Sequence, residues 1–234
     1  MSLVVSEKTL ELNVGENIIN RIRQLGGVFQ RTFIYGFNMR YEGRIGLDCA
    51  INLPTNGMFL LAFQFKRFNP QRSRMNIWTF EINNNKARDQ HLKLLVTSHF
   101  LGFDGVYYAF PLINSQNIHS ISPDFLNNTC FVRVADFPAY TFNFTTHMVF
   151  LNTKCNITRI MSTNSGNINS FKFSDILKLL MKEEFKVALE KLNRKVITKE
   201  ELKRFLKEKG IDENIIREFL ARNWRFKIKF GLFI

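Results

Sequence analysis

Two apolar runs separated by Pro54-Thr55-Asn56-Gly57 constrain this chain more than any other feature. The first, Cys49-Ala50-Ile51-Asn52-Leu53, follows Gly46-Leu47-Asp48; the second, Met58-Phe59-Leu60-Leu61-Ala62-Phe63-Gln64-Phe65, leads into Lys66-Arg67. Strand-like runs around a turn cluster predict a β-hairpin. Its register decides which side chains meet, because successive strand residues point to opposite faces. A two-residue Asn56-Gly57 turn pairs Asp48 with Phe65 and sets Asp48 on the face opposite Gln64 and Lys66. A three-residue Thr55-Asn56-Gly57 loop, with Gly57 in the left-handed position, pairs Asp48 with Gln64. We expect the odd-length loop, which leaves Leu60 and Ala62 on one face and Phe59, Leu61, Phe63 and Phe65 on the other. An acid, an amide oxygen and a lysine then share one face at the open end of the hairpin. That set suits a divalent metal and a phosphate, and so nucleic-acid cleavage.

The rest of the composition narrows the class. A chain of 234 residues that is 45% hydrophobic, with 25 Phe, has enough apolar side chains for a good core. It has no apolar stretch of about 18 residues, so no membrane span is expected. Met1-Ser2-Leu3-Val4-Val5-Ser6-Glu7-Lys8 lacks a basic start and an apolar core, so we expect no secretory signal and a cytoplasmic protein. Cys49, Cys130 and Cys155 show no paired spacing. They fit a reducing compartment and three separate buried side chains, and they argue against a zinc site. The formal charge of +13 favours polyanionic partners. Residues 171–234 carry 17 Lys/Arg and 10 Asp/Glu, whereas residues 1–170 carry 16 and 10, so the tail is the more densely basic part.

Periodicity sets the order of elements. Ile18, Ile19, Ile22 and Leu25 predict a helix over 14–25 that bears Glu16 in its first turn and stops at Gly26-Gly27. Val28 to Asn38 reads as a strand ahead of the hairpin. Ile77 to Ile82 reads as a strand, Ala87 to Phe100 as a helix burying Leu92, Leu95, Val96 and His99, and Gly105 to Ile113 as a buried strand. A helix between two strands predicts a crossover and some parallel pairing. Strand-like segments recur at 130–135, 148–151 and 157–161, followed by a Ser/Asn/Gly-rich linker at 162–170. Three helices follow, with Ser174, the Thr198–Glu201 capping box and Asp212 as their starts.

This order of parts resembles the PD-(D/E)XK nuclease superfamily over roughly residues 14–112. An acid-bearing helix (Glu16) and a strand lead to Gly46-Leu47-Asp48, then the hairpin, Gln64-Phe65-Lys66 and a further helix. In pattern it is closest to the Mrr-type restriction endonucleases, which carry glutamine at the first position of the last motif, and to archaeal Holliday-junction resolvases. The resemblance implies an α/β fold, a restriction-endonuclease-like core of mixed β-sheet flanked by helices over 1–170; the charge and helical periodicity beyond the linker add a basic helical C-terminal domain over 171–234. It implies a metal-dependent nuclease, acting on DNA with Mg²⁺ or Mn²⁺. Asp48 resembles the central metal-binding aspartate, Gln64 the second ligand, and the Phe65 backbone carbonyl a third oxygen. Glu16 resembles the helix-one acid that holds the metal through water. Lys66 resembles the lysine that positions the attacking water and offsets phosphate charge. The sequence departs from the commonest pattern in its neutral amide at position 64, which lowers the expected metal affinity. Members of the superfamily often dimerise to cut two strands, so the resemblance brings a homodimer with it, although no dimer surface is legible.

Arg67, Arg72 and Arg74 flank the motif as phosphate-backbone contacts. Lys203, Arg204 and Lys207 form a second candidate face on the tail, with Glu200, Glu201 and Glu208 interleaved. Gln90 and His91, in the helix after the motif, either approach the site or lie on ordinary helix surface, and the surface reading leads. Two other functions share these features: an inactive nuclease-fold protein that binds DNA or RNA, and an interaction module of a larger assembly.

Overall fold

Ser6 starts the first helix, α1 (Glu7–Arg23), by accepting a hydrogen bond from the Thr9 backbone N–H at 3.0 Å. The helix therefore begins two turns earlier than the isoleucine pattern suggests, because Leu10 and Val14 extend the same buried stripe as Ile18 and Ile22. The computed structural model describes residues 5–36, 46–53, 58–70, 76–83, 89–101, 105–160, 168–181 and 198–223. Two consecutive left-handed glycines, Gly26 and Gly27, end the approach to a short 3₁₀ turn at Gly27–Arg31. Strand β1 (Phe33–Gly36) thus starts at Phe33, five residues later than the sequence suggests.

The hairpin forms from β2 (Cys49–Leu53) and β3 (Met58–Phe65). After β4 (Ile77–Ile82), α2 (Gln90–Leu101) returns the chain to β5 (Val106–Pro111), and β6 (Thr129–Arg133) follows. A five-stranded mixed sheet runs in the order β1-β2-β3-β5-β6, with β3 and β5 parallel and every other pair antiparallel. The crossover expected from the helix is present, but its strands are β3 and β5. The strand next to the helix in sequence, β4, leaves to pair with β7 (His147–Asn152), which pairs with β8 (Ile157–Ile160) in a second sheet.

Strand alternation divides the core in two. Cys49, Ile51, Leu61, Phe63, Phe65, Tyr107, Ala109 and Phe131 bury against α1 and α3 (Phe173–Leu180). Ala50, Ala62, Val106, Tyr108, Phe110, Cys130 and Val132 bury against α2, the second sheet, and helices α4 (Lys199–Glu208) and α5 (Glu213–Asn223). The helices beyond residue 170 therefore share both halves of the sheet's core. Their capping follows the sequence at Thr198 and Glu201, which bond each other's backbone N–H, and at Asp212, which accepts from Asn214 N. Helix α3 is capped at Lys172 instead of Ser174, with Asp175 accepting from the Lys172 N–H.

The three cysteines are not the three separate buried side chains that their spacing suggests. Cys130 and Cys155 form a disulfide, joining β6 of the large sheet to the turn between β7 and β8. Linear spacing could not reveal this, because the partners lie in different sheets. Among the described residues only Cys49 is a free thiol; it is buried, and burial pushes its pKa well up. No helix among the described residues is long and apolar enough to cross a membrane.

Candidate functional site

Asp48 and Gln64 share a face, through a register that differs from the expected one near the turn. Leu53 pairs with Met58 and Asn52 with Phe59, whereas Ile51 pairs with Leu61, so Leu60 is the extra residue of a bulge. Beyond it the pairs are Ala50 with Ala62 and Cys49 with Phe63. Continuing that register sets Asp48 opposite Gln64. The bulge thus supplies the shift that the three-residue loop was expected to provide; residues 54–57 themselves lie outside the described residues.

A chain of hydrogen bonds organises the site. Asp48 Oδ2 accepts from Gln64 Nε2 at 2.8 Å and from the Phe65 backbone N–H at 2.6 Å. Gln64 Nε2 also lies 3.2 Å from the Phe65 carbonyl oxygen. Gln64 Oε1 accepts from Gln90 Nε2 at 2.9 Å, and Gln90 Oε1 accepts from Lys66 Nζ at 2.7 Å. Gln90 is the first residue of α2, with His91 beside it buried rather than on the helix surface, so the tertiary fold realises for Gln90 the alternative that sequence reading ranked second. Its signal was positional: a crossover helix following the β3 motif starts near the end of that strand.

Gly46 sets the spacing between these two elements. Its φ of +78° favours glycine, and an added Cβ would stand 3.2 Å from both the Gln90 carbonyl oxygen and Leu94 Cγ. Gly46→Ala is expected to destabilise the fold by about 1–3 kcal/mol through strain and crowding. Urea unfolding measures that cost, and an unchanged midpoint would show that α2 can back away freely.

Below the polar chain lies a second buried network. His91 Nδ1 is 2.9 Å from Tyr108 Oη, and His91 Nε2 is 3.1 Å from Thr141 Oγ1, which itself donates to the Pro138 carbonyl. Burial holds the His91 pKa well below its usual value, so the ring is neutral. The Thr141 proton is committed to Pro138, so His91 donates from Nε2 and accepts the Tyr108 hydroxyl proton at Nδ1. The ring stacks on Phe142 with centroids 4.1 Å apart. These groups are fully paired and form the floor under Gln64, which lies beside Tyr108 in the β3–β5 ladder.

Burial also dominates the electrostatics of the site. Asp48 is pushed up to about 7, first by desolvation; Lys66 and the Phe65 N–H oppose the shift, and the Glu7 and Glu11 carboxylates add to it. Lys66 is only 7% exposed, and burial lowers its pKa while Glu7, Asp48 and Glu81 pull it back up. Glu7 and Glu11, one helical turn apart on α1, are therefore the helix-one acids whose charge reaches the site. Glu16 is exposed and contributes to neither shift. The sequence pattern selected the right helix, but starting it late selected an acid on another face.

The oxygen set fits a hard cation sparingly. Asp48 offers a carboxylate, Phe65 a carbonyl, and Gln64 an amide oxygen once its amide turns. In the present orientation the Gln64 NH₂ group, with its partial positive charge, stands between the Asp48 and Phe65 oxygens. Among the described residues no group of three or more His, Cys, Asp or Glu side chains gathers as a metal cluster. Asp48 is thus the one carboxylate in the hydrogen-bonded set.

The other candidate contacts are scattered. Arg67 is exposed next to Lys66. Arg72 and Arg74 lie outside the described residues. On the tail, Lys203 and Lys207 both pair with Glu213 at 3.1 Å, and Arg204 approaches Glu208 at 4.0 Å. Their charge is partly offset, for Arg204 by the interleaved Glu208 and for the two lysines by Glu213 at the start of the next helix. Comparison with protein-family models, curated proteins and solved structures returns no match.

Proposed function

We propose that this protein is a metal-dependent nuclease that hydrolyses phosphodiester bonds of DNA on a restriction-endonuclease-like core. The observation that carries this reading is the joining of Asp48, Gln64 and Lys66 in one hydrogen-bonded set at the end of the central strand. The order α1-β1-β2-β3-β4-α2-β5, in which β4 leaves for the second sheet and β3 and β5 pair in parallel, supports it. So does the position of the acid ahead of β2 and of Gln-x-Lys across the end of β3.

Asp48, the Gln64 amide oxygen and the Phe65 carbonyl would hold Mg²⁺ or Mn²⁺, with Glu7 or Glu11 in the water-mediated role expected of Glu16. When bound, the ion supplies Lewis acidity to the phosphoryl group and acidifies a water. Lys66 offers an ammonium group at the same edge, with its stem buried so that the charge stays directed at the site. Arg67 adds an exposed charge for the phosphate backbone. DNA substrate fits a cytoplasmic protein. The Cys130–Cys155 bond does not favour that location, because disulfides are rare where thiols are kept reduced. A homodimer would place two such sites on two strands.

Plasmid and branched DNA incubated with Mg²⁺ or Mn²⁺ test the reading. Wild-type protein is expected to cleave, and Lys66→Ala to lose on the order of 100-fold or more in rate, the scale of a removed charge-stabilising donor. Equal cleavage by both proteins would overturn the assignment. The neutral amide at position 64 and the high Asp48 pKa favour a second reading, a nuclease-fold protein that binds DNA or RNA without cutting it. Absent cleavage together with steeply salt-dependent binding would select that reading.

A further inference from the structure

We propose that Gln64 and Gln90 form a two-amide relay that couples occupancy of the cation site to release of Lys66. The inference rests on the nuclease reading and identifies Gln90 as a positioning residue of that site.

The relay follows from the polarity of four consecutive hydrogen-bonding groups. Asp48 Oδ2 and the Phe65 carbonyl are acceptors, so they face the Gln64 nitrogen. The Gln64 oxygen must then face the Gln90 nitrogen, and the Gln90 oxygen faces the Lys66 ammonium group. A single direction satisfies every group. Among the described residues Gln90 Oε1 is the only hydrogen-bond acceptor of Lys66 Nζ.

Gln64 can offer an oxygen between Asp48 and Phe65 only if its amide turns over. That brings three oxygens together, which is favourable with a cation among them and repulsive without one. The turned Gln64 then presents its nitrogen to Gln90, and pairing is restored only if Gln90 turns as well. Gln90 now presents NH₂ to an ammonium group, donor against donor, and Lys66 loses its acceptor. A buried ammonium without an acceptor is costly, so Lys66 swings toward whatever anion is near. In a nuclease that anion is the substrate phosphate. Both amides turn about a terminal side-chain torsion with broad, two-fold preferences, so the backbone need not move. The lysine is held in reserve by one amide until the other takes up its ligand role.

The relay makes Lys66 and the cation site antagonists through Gln90, which a double-mutant cycle reads directly. Mn²⁺ binding is measured by electron paramagnetic resonance in wild type, Lys66→Met, Gln90→Met and the double variant. Circular dichroism and melting confirm that each is folded. Lys66→Met is expected to tighten Mn²⁺ binding about tenfold in the wild-type background, because Gln90 is no longer anchored. In the Gln90→Met background the same change is expected to give less than about twofold. Gln90→Glu carries two acceptors, holds Gln64 with its nitrogen turned toward position 90, and is expected to tighten Mn²⁺ binding as well. In a Mg²⁺ titration by NMR, the side-chain amide signals of Gln64 and Gln90 should shift together.

An equal gain from Lys66→Met in both backgrounds would show simple charge repulsion through space and overturn the relay, as would a Gln90 amide signal that ignores Mg²⁺. Those results leave the nuclease reading standing. Failure of all the proteins to bind Mn²⁺ would remove both.

Discussion

Asp48→Asn is expected to abolish DNA cleavage and, at the same time, to raise the melting temperature at pH 8. The loss of activity follows from the donor set: Asp48 is its one carboxylate, and a neutral amide beside Gln64 leaves no charge to hold a cation. Charge stabilisation worth several kcal/mol corresponds to a fall on the order of 1,000-fold or more in rate. The gain in stability follows from burial. The Asp48 carboxyl titrates near 3.8 when solvated and at about 7 in the folded protein, chiefly because ionising it there costs desolvation. Between those values the folded protein keeps a proton that the unfolded chain has released. Raising the pH therefore favours unfolding. The stability linked to this group is fully present below about pH 4 and is lost as the pH passes through 7, with a ceiling of roughly 4 kcal/mol for such a shift. Asparagine keeps an oxygen for the Phe65 N–H and for Gln64 Nε2 but carries no charge.

Lys66 loses some attraction in this variant, which reduces the gain. We expect about 2 kcal/mol, or roughly 4–8 °C in melting temperature, at pH 8. The difference should shrink toward pH 5. Melting curves of both proteins across pH 5–8 check this, beside the cleavage assay. A temperature gap that does not change with pH would mean that the carboxylate is not desolvated in the folded protein, and retained cleavage would mean that the chemistry lies elsewhere.

Reduction of the disulfide is expected to lower the melting temperature by about 10 °C. Cys130 and Cys155 are 25 residues apart in sequence, and the bond between them ties the large sheet to the small one. Closing a loop of that length in the unfolded chain stabilises the native state by roughly 3.5 kcal/mol on the chain-entropy model. For a chain of this size each kcal/mol shifts melting by about 2–4 °C. Scanning fluorimetry with and without reductant measures the effect, and the Cys130→Ala/Cys155→Ala variant should melt where the reduced protein does, indifferent to reductant. Alkylation of three thiols in the unfolded, unreduced protein would show that the bond does not form.

The part of the site that could be read in advance is the part that lies on one hairpin. Alternation along β2 and β3 is a local rule, so Asp48, Gln64 and Lys66 fall on one side once the register is known, and the apolar face of the same strands fixes that register. Even so, the shift arises at Leu60 and not in the loop, since a bulge and an odd loop leave the same alternation farther along the strands. The capping of α4 and α5 was equally legible, because Thr198, Glu201 and Asp212 bond backbone groups within their own first turns.

The rest depended on which surfaces pack. Ser6 and the Leu10–Val14–Ile18–Ile22 stripe seat α1 so that the charges of Glu7 and Glu11 bear on Asp48, with Glu11 itself paired to Lys8, while Glu16 stays exposed. Gln90 joins the cluster because α2 lands on the Ala62–Gln64 face of β3, held close by Gly46. The disulfide partners meet only after β4 has left the large sheet and built the small one with β7. By itself the sequence determined strand faces, the caps of α4 and α5 and a basic surplus, because each depends on neighbours within a few residues. Tertiary structure alone decided which helix-one charges bear on the site and which amide and cysteines meet, because burying apolar area orients whole elements and their polar side chains follow.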